Sequence, residues 1–154
     1  MGDEIAAAEH ALERLFRLTV NRSVHTRQTA AVGADVTRAG YAVLRCVEEA
    51  GERSLGELAR ECSMDPAAAG RQVKALEDDG FVVRAPGDDG RVTVVRLTPE
   101  GRDVYRRIVE IRTRHMSDVL SAWPGADRAA LARLVDRLVD DLKSVPFRPA
   151  KGDI

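Results

Sequence analysis

Ile5, Ala8, Leu12, Leu15, Phe16 and Val20 recur at steps of three and four, and this spacing predicts one long amphipathic helix over residues 4–29. The segment AAVGADV, residues 30–36, carries no such period and interrupts it. Thr37 is placed to cap a second helix that holds Tyr41, Val43, Leu44, Cys46 and Val47 and stops at Gly51. Ser54 followed by Glu57 is a capping box, and Leu55, Leu58, Ala59 and Cys62 give the short helix behind it an apolar side. Asp65 and Pro66 then supply an N-cap and a first helical residue for a fourth helix running to Gly80. Ala69, Val73 and Leu76 share one face of that helix. Ala67, Arg71, Lys74 and Asp78 share the opposite face, with Ala68 and Ala75 beside them.

The period now changes. FVVR and RVTVVRL are β-branched runs, and the PGDDG between them is turn chemistry, so a two-stranded hairpin is expected. Such a hairpin is barely stable alone and must lean on helices. Thr98 and Pro99 restart a long helix, with Val104, Ile108, Ile111, Val119 and Trp123 marking one face. After PGAD comes a last helix with Leu131, Leu134, Val135, Leu138, Val139 and Leu142. The closing PFRPAKGDI, residues 146–154, reads as a flexible tail. Short helix, tight turn, helix and hairpin is the order of a winged helix-turn-helix. The expected fold is therefore mainly α with a small β-hairpin wing, in one domain over 1–154. Its lobe spans 37–98, flanked by long helices at 4–29 and 99–145.

Composition narrows the function. The 154 residues are 44% hydrophobic and 32% charged, an ordinary globular balance, and only 4% aromatic. No stretch approaches the roughly 18 apolar residues of a membrane span. MGDEIAAAEHALERLF is acidic from its start, with no apolar run before a cleavage site, so neither a signal peptide nor a membrane partner is expected. A cytoplasmic location follows. Cys46 and Cys62 can pair in principle, but free thiols in a reducing compartment are favoured, and neither has the cation-rich setting of a redox sensor. His10, His25 and His115 are scattered, and no metal-protease, P-loop or nucleophile-elbow motif is present. We expect no enzyme activity, no metal and no cofactor.

Charge alone does not reveal a partner. Residues 60–107 hold nine basic side chains (Arg60, Arg71, Lys74, Arg84, Arg91, Arg96, Arg102, Arg106, Arg107). Nine acidic ones oppose them (Glu61, Asp65, Glu77, Asp78, Asp79, Asp88, Asp89, Glu100, Asp103). DNA binding must then come from sorting charge onto one side. On the fourth helix, the small Ala67, Ala68 and Gly70 let the backbone approach base edges. Arg71 can fork onto guanine or phosphate, and Gln72 and Lys74 can reach the margins. Arg84 at the hairpin's start adds another cation. At the tip, Asp89 can brace the Arg91 guanidinium as it enters a minor groove. Against this stands a surface ion pair worth under about 1 kcal/mol.

SLGELAREC, MDPAAAGRQVKALEDDGFVVR and DGRVTVVRLTPEGR together resemble the winged-helix region of the MarR (multiple antibiotic resistance regulator) family of bacterial transcription factors. The resemblance is strongest over residues 37–107. Its most specific piece is Asp89-x-Arg91 followed by Leu97, Thr98 and Gly101, with Leu76 and Gly80 also in place. It implies a homodimeric transcriptional regulator, more often a repressor, on a pseudo-palindromic duplex. It also implies phosphate contact by Ser54, a recognition-helix arginine at Arg71 and a wing arginine at Arg91. Ala67, Ala68 and Gly70 stand where hydroxyl residues are common, and Ala85 where a basic one is frequent. Fewer hydrogen bonds to DNA are available in consequence. Many members release DNA when a small aromatic or phenolic anion binds. The resemblance places such an effector at Arg17, Asn21, Tyr41 and Arg45, with His10, Arg14 and His25 as weaker candidates.

Two readings of the last helix remain: a stripe at three- and four-residue steps fits a helical dimer interface, or an intramolecular bundle. The rival to a DNA-binding regulator is a winged-helix adaptor that binds protein. The neutral 60–107 segment favours the adaptor and Arg91 argues for DNA.

Overall fold

A computed structural model describes residues 2–20 and 22–146. Its chain divides into two compact units, 1–112 and 113–154. The first unit contains α1 (Gly2–Val20), α2 (Arg22–Ala30), α3 (Arg38–Ala50), β1 (Arg53–Ser54), α4 (Leu55–Glu61), α5 (Pro66–Asp78), β2 (Val82–Pro86), β3 (Thr93–Leu97) and most of α6 (Pro99–Val119). The second contains the end of α6 and α7 (Gly125–Ser144).

The caps form as the sequence predicts, because capping is decided by residues within one turn. Thr37 Oγ1 accepts from the Gly40 N–H at 2.9 Å. Ser54 and Glu57 close a reciprocal capping box, and Asp65 accepts from the Ala68 N–H at 2.8 Å, with Pro66 at the first helical position. Gly51 leaves α3 at φ +80°, the left-handed region.

Two expectations need correction, and one falls partly outside the described residues. The expected helix over 4–29 is helical on both sides of Asn21, as α1 and α2, and Asn21 itself lies outside the described residues, so its continuity there is not at issue. The wing is a three-stranded antiparallel sheet of order β1-β3-β2 rather than a two-stranded hairpin, since Arg53 and Ser54 pair with Val95 and Val94. Trp123 is not on the long helix. α6 ends at Val119 and α7 begins at Gly125, so that Gly125, Ala126 and Asp127 form its first turn rather than precede it. The expected tail falls, from residue 147 on, outside the described residues.

The core of the first unit is aliphatic, as a 4% aromatic content requires. Val43, Leu44 and Val47 of α3, Leu58 of α4, Val73 and Leu76 of α5, Val82 and Val95 of the sheet, and Val104 and Ile108 of α6 form one cluster. The expected inward face of α5 is buried in full, and Arg71, Lys74 and Asp78 are exposed opposite it. α1 leaves Ile5, Leu15, Phe16 and Leu18 exposed. In the second unit α7 has no buried residue, and Leu134, Val135, Val139 and Leu142 face solvent.

One junction fixes the wing to the helices. Thr98 Oγ1 accepts from the Gly101 N–H at 3.0 Å while donating to the Gly80 carbonyl at 2.7 Å. The Thr98 N–H donates to the Phe81 carbonyl at 3.0 Å. Gly101 is buried there, and a Cβ on it would lie 1.9 Å from the Phe81 oxygen. Thr98 and Gly101, two of the residues that carry the family resemblance, are architectural.

Candidate nucleic-acid interface

α4, the Ser63–Met64 turn and α5 form the helix-turn-helix, and β2 and β3 extend from the end of α5. The wing tip is built by backbone. The Gly87 N–H donates to Val92 O at 2.7 Å, the Gly90 N–H donates to Gly87 O at 2.8 Å, and Gly90 takes φ +68°. Asp89 Oδ1 accepts from the Arg91 backbone N–H at 3.0 Å. It therefore braces the turn, not the guanidinium as expected, and Arg91 has no carboxylate partner among the described residues.

Pairing sorts the nine basic side chains of 60–107. Lys74 Nζ donates to both Asp78 oxygens, at 3.0 and 3.1 Å. Arg84 lies 3.3 Å from Glu77, Arg96 pairs with Glu52, and Arg102 and Arg106 both meet Glu48. Arg107 lies 3.8 Å from Asp103. Among the described residues this leaves Arg60, Arg71 and Arg91 without a carboxylate partner, one each on α4, α5 and the wing. Arg60 was missed by the sequence reading. Its signal was the capping box, which fixes α4's start and so the exposed face on which Arg60 lies.

Ser54, Glu57 and Arg60 line a groove of about 510 Å3 with Gly87, Asp88, Asp89 and Val92 of the wing. Ser54 Oγ accepts from the Glu57 N–H at 3.3 Å, which leaves its own proton free to donate to a phosphate. The Ser54 N–H, held by the Glu57 carboxylate at 2.7 Å, is the main reason that this carboxyl lies below its ordinary range. Glu52, Glu57, Asp88 and Asp89 also make the groove partly acidic.

On α5, Ala67 is exposed and Ala68 and Gly70 are half-buried, so the helix presents little beyond backbone in its first turn. Gln72 Oε1 accepts from Thr37 Oγ1 at 2.7 Å, tying the start of α3 to α5.

The expected effector residues separate. Arg17 pairs with Glu13 at 3.1 Å, His10 lies 4.0 Å from the same carboxylate, and Arg14 is exposed on α1. Asn21 lies outside the described residues. Tyr41 and Arg45 sit in an aromatic cluster on the first unit. Tyr41 stacks on Tyr105 with centroids 5.8 Å apart, the Arg112 guanidinium lies 4.6 Å from the Tyr41 centroid, and His25 meets Tyr41 edge-on. Arg45 donates to Glu49 at 2.9 Å, which raises its pKa, and burial raises that of Tyr105. Tyr105 and Arg112 were missed, although their spacing, with Ile108 between them, places all three on one helical face. His25 is buried. Its Nε2 donates to Val36 O at 2.8 Å, and its Nδ1 has no partner among the described residues. It lines a cavity of about 540 Å3 with Thr26, Thr29, Arg38 and Gln72.

The sequence model of the MarR family matches residues 36–93. The HTH-type transcriptional regulator YdgJ of Bacillus subtilis is 28% identical over 135 residues, covering 86% of this chain and 81% of that protein. A MarR family protein from Bacillus stearothermophilus superposes with a TM-score of 0.75 at 22% identity, over 93% of this chain and 99% of that one. BpsR of Bordetella bronchiseptica, whose DNA binding is regulated by 6-hydroxynicotinic acid, superposes at 0.68 with 20% identity, over 86% and 92%. Among the described residues no helix is long and apolar enough to cross a membrane.

Proposed function

We infer, for a chain whose winged-helix lobe is of the MarR family over residues 36–93, that it is a transcriptional regulator reading double-stranded DNA as a homodimer in the cytoplasm. The observation that carries this reading is the charge sorting. Of the nine basic side chains in residues 60–107, those without a carboxylate partner among the described residues stand one on each of α4, α5 and the wing tip. α5 lies in a major groove, where Arg71 contacts guanine or phosphate. Arg91 enters the adjacent minor groove, and Ser54 and Arg60 hold the phosphates between. Lys74, Arg84 and Gln72 are secondary contacts, since each already has a protein partner.

The stripe of α7 supports the dimer. A helix of 20 residues with no buried side chain and several exposed leucines and valines needs a cover, and a second copy supplies one. Two lobes one helical turn apart, about 34–36 Å, require a pseudo-palindromic operator, and occupancy of such a site within a promoter represses it. Tyr41, Tyr105, Arg45 and Arg112 supply stacking surface and positive charge for an aromatic anion, an effector class that the regulation of BpsR also suggests. Such a ligand loosens DNA only by its preference for the non-binding geometry, commonly about 1–3 kcal/mol.

Selection from a random duplex library, then affinity against salt, tests the reading. We expect a two-fold motif with half-sites about 10 base pairs apart. Absence of any enriched motif, with weak binding that vanishes as salt rises, overturns it in favour of the protein-binding adaptor. One observation favours that alternative: the groove between wing and α4 carries Glu52, Glu57, Asp88 and Asp89, which repel phosphate and suit a basic protein segment.

A further inference from the structure

Ala69, Val73 and Leu76 seat α5 on the core. Apolar packing holds the helix down, but it is not directional and fixes rotation about the helix axis only weakly. A hydrogen bond is directional and can fix it. Among the described residues, Asp65 bonds the first turn of α5, Lys74 meets Asp78 on the same helix, and Glu77 pairs with Arg84 at its end. The side-chain hydrogen bond that joins the middle of α5 to another helix runs from Thr37 Oγ1 to Gln72 Oε1, at 2.7 Å.

Thr37 is a fixed point from which to hold α5. Its hydroxyl caps α3, accepting from the Gly40 N–H at 2.9 Å, and its single proton goes to Gln72. The preceding residue is pinned as well. Val36 is 2% exposed, and its carbonyl accepts from the buried His25 Nε2 at 2.8 Å. Gly40 keeps the space open, because a Cβ there would lie 3.2 Å from Thr37 Oγ1 and 3.6 Å from Gln72 Oε1. Thr37 is exposed and Gln72 half-buried, so the bond adds direction rather than core.

We propose that Thr37 and Gln72 are a positioning pair that sets the rotation of α5 and thereby aims Arg71 at guanine, with Gln72 acting through the helix and not as a base contact. This rests on the DNA-binding reading. Arg71 directly precedes Gln72, about 100° round the helix, and is exposed. An extended arginine carries its guanidinium roughly 9 Å from the helix axis, so a turn of about 10° moves it by about 1.5 Å. A fork onto guanine tolerates only about 0.5 Å in donor–acceptor distance. Phosphate contacts carry no sequence information, so losing the pair costs discrimination and leaves affinity for random DNA nearly unchanged.

The experiment measures, for the full-length chain at fixed salt, the ratio of its affinities for a selected duplex and a scrambled duplex of equal length. Gln72→Met keeps the length of the side chain and loses the oxygen acceptor. It is expected to lower the ratio about tenfold, through the selected duplex alone. Gln72→Glu keeps the acceptor, and Thr37→Ser keeps the donor and the cap. Both should retain the ratio, although the added charge of Gln72→Glu weakens binding to both duplexes. In a Thr37→Ala background, Gln72→Met should lower the ratio no further. A tenfold fall in that background, or loss of the ratio in Gln72→Glu, makes Gln72 a direct contact and overturns the pair. If Thr37→Ala fails to fold for want of the α3 cap, Thr37→Ser and Gln72→Glu carry the decision. Arg71→Ala separates the two readings: a fall in the ratio there, with none in Gln72→Met, overturns the pair and leaves the DNA-binding reading standing. The rotation is also read without DNA, from residual dipolar couplings of the backbone amides of α5 against those of α3. We expect a turn of about 10° in Gln72→Met and none in Thr37→Ser, and an unmoved helix in Gln72→Met refutes the pair.

Discussion

Gly101→Ala puts the junction between wing and helices to a test of sign. Gly101 lies in the first turn of α6, where helix propensity alone predicts that alanine stabilises by up to about 1 kcal/mol. The structure predicts the opposite. The new Cβ would sit 1.9 Å from the Phe81 oxygen and 2.7 Å from its carbonyl carbon, both backbone atoms that no rotamer change can move aside. A carbon and a carbonyl oxygen approach no closer than roughly 3.3 Å, so the two segments must part by more than 1 Å, on the order of the distance that breaks a hydrogen bond. Three bonds cross or cap this junction: Thr98 N–H to Phe81 O, Thr98 Oγ1 to Gly80 O, and Gly101 N–H to Thr98 Oγ1. At about 1 kcal/mol each, their loss costs about 3 kcal/mol, and the propensity gain returns about 1. The net loss is about 2 kcal/mol. With a urea slope of roughly 2 kcal/mol per molar, the unfolding midpoint falls by about 1 M, measured by far-UV circular dichroism at fixed protein concentration. Thr98→Ala, which removes two side-chain bonds without a clash, should fall by less. A midpoint for Gly101→Ala equal to or above the wild type refutes the account of the junction.

The interface gives further outcomes. Arg91→Ala should weaken binding to a selected duplex by about 1–3 kcal/mol and reduce the salt slope by about one per subunit, with the urea midpoint unchanged. Lys74→Ala should cost less affinity, because Lys74 is already held by Asp78. If the two variants lose equal affinity, pairing does not sort the cations. Replacing Leu134 and Leu142 together by Asp should convert a dimer to a monomer in sedimentation without loss of helix content. An unchanged mass removes α7 from the interface. Glu57 is held below its ordinary pKa of 4.5 by the Ser54 backbone and side chain, so it stabilises the fold above that value and the contribution is lost as pH falls through the folded pKa. Glu57→Gln should therefore show a shallower loss of urea midpoint between about pH 5 and 3, and a parallel acid limb would refute the assignment.

What the sequence revealed and what it hid divide along the range of the interactions. Thr37, Ser54 with Glu57, Asp65 with Pro66, and Thr98 with Pro99 were legible as helix starts because each cap is completed within three residues. The buried face of α5 was legible for the same reason, since a helical period is local. β1 was not: Arg53 and Ser54 are too few to show alternation, and they are strand only because β3 lies beside them. Trp123 was placed on α6 because apolar spacing carries past the point where the backbone turns. The ion pairs Arg96–Glu52 and Arg102–Glu48, and the meeting of Cys46 with Glu61, join residues far apart in sequence and leave no periodic trace.

The same division decides how the zero net charge of residues 60–107 should be weighed. Nine cations against nine anions suggest a poor partner for phosphate, but a count treats every charge as equally available. Six of the nine cations are paired, Arg96, Arg102 and Arg106 with glutamates that lie outside the 60–107 segment and so never entered the balance. Those pairs hold β3 to the connection after α3 and α6 to α3. They are structural charges and offer little to a phosphate, because approaching DNA would mean giving up a partner at hydrogen-bond distance. Of these nine, what remains for a ligand among the described residues is Arg60, Arg71 and Arg91, six cations in the proposed dimer. At about 0.9 counterions per contact, six contacts give a salt slope of roughly −5, where all eighteen basic groups would give roughly −16. On the proposed reading, such a segment should bind DNA at large weakly, and its discrimination should come from where three arginines stand relative to one another. That placement is what the Thr98–Gly101 junction, the Asp89 turn and the capping box of α4 hold in place.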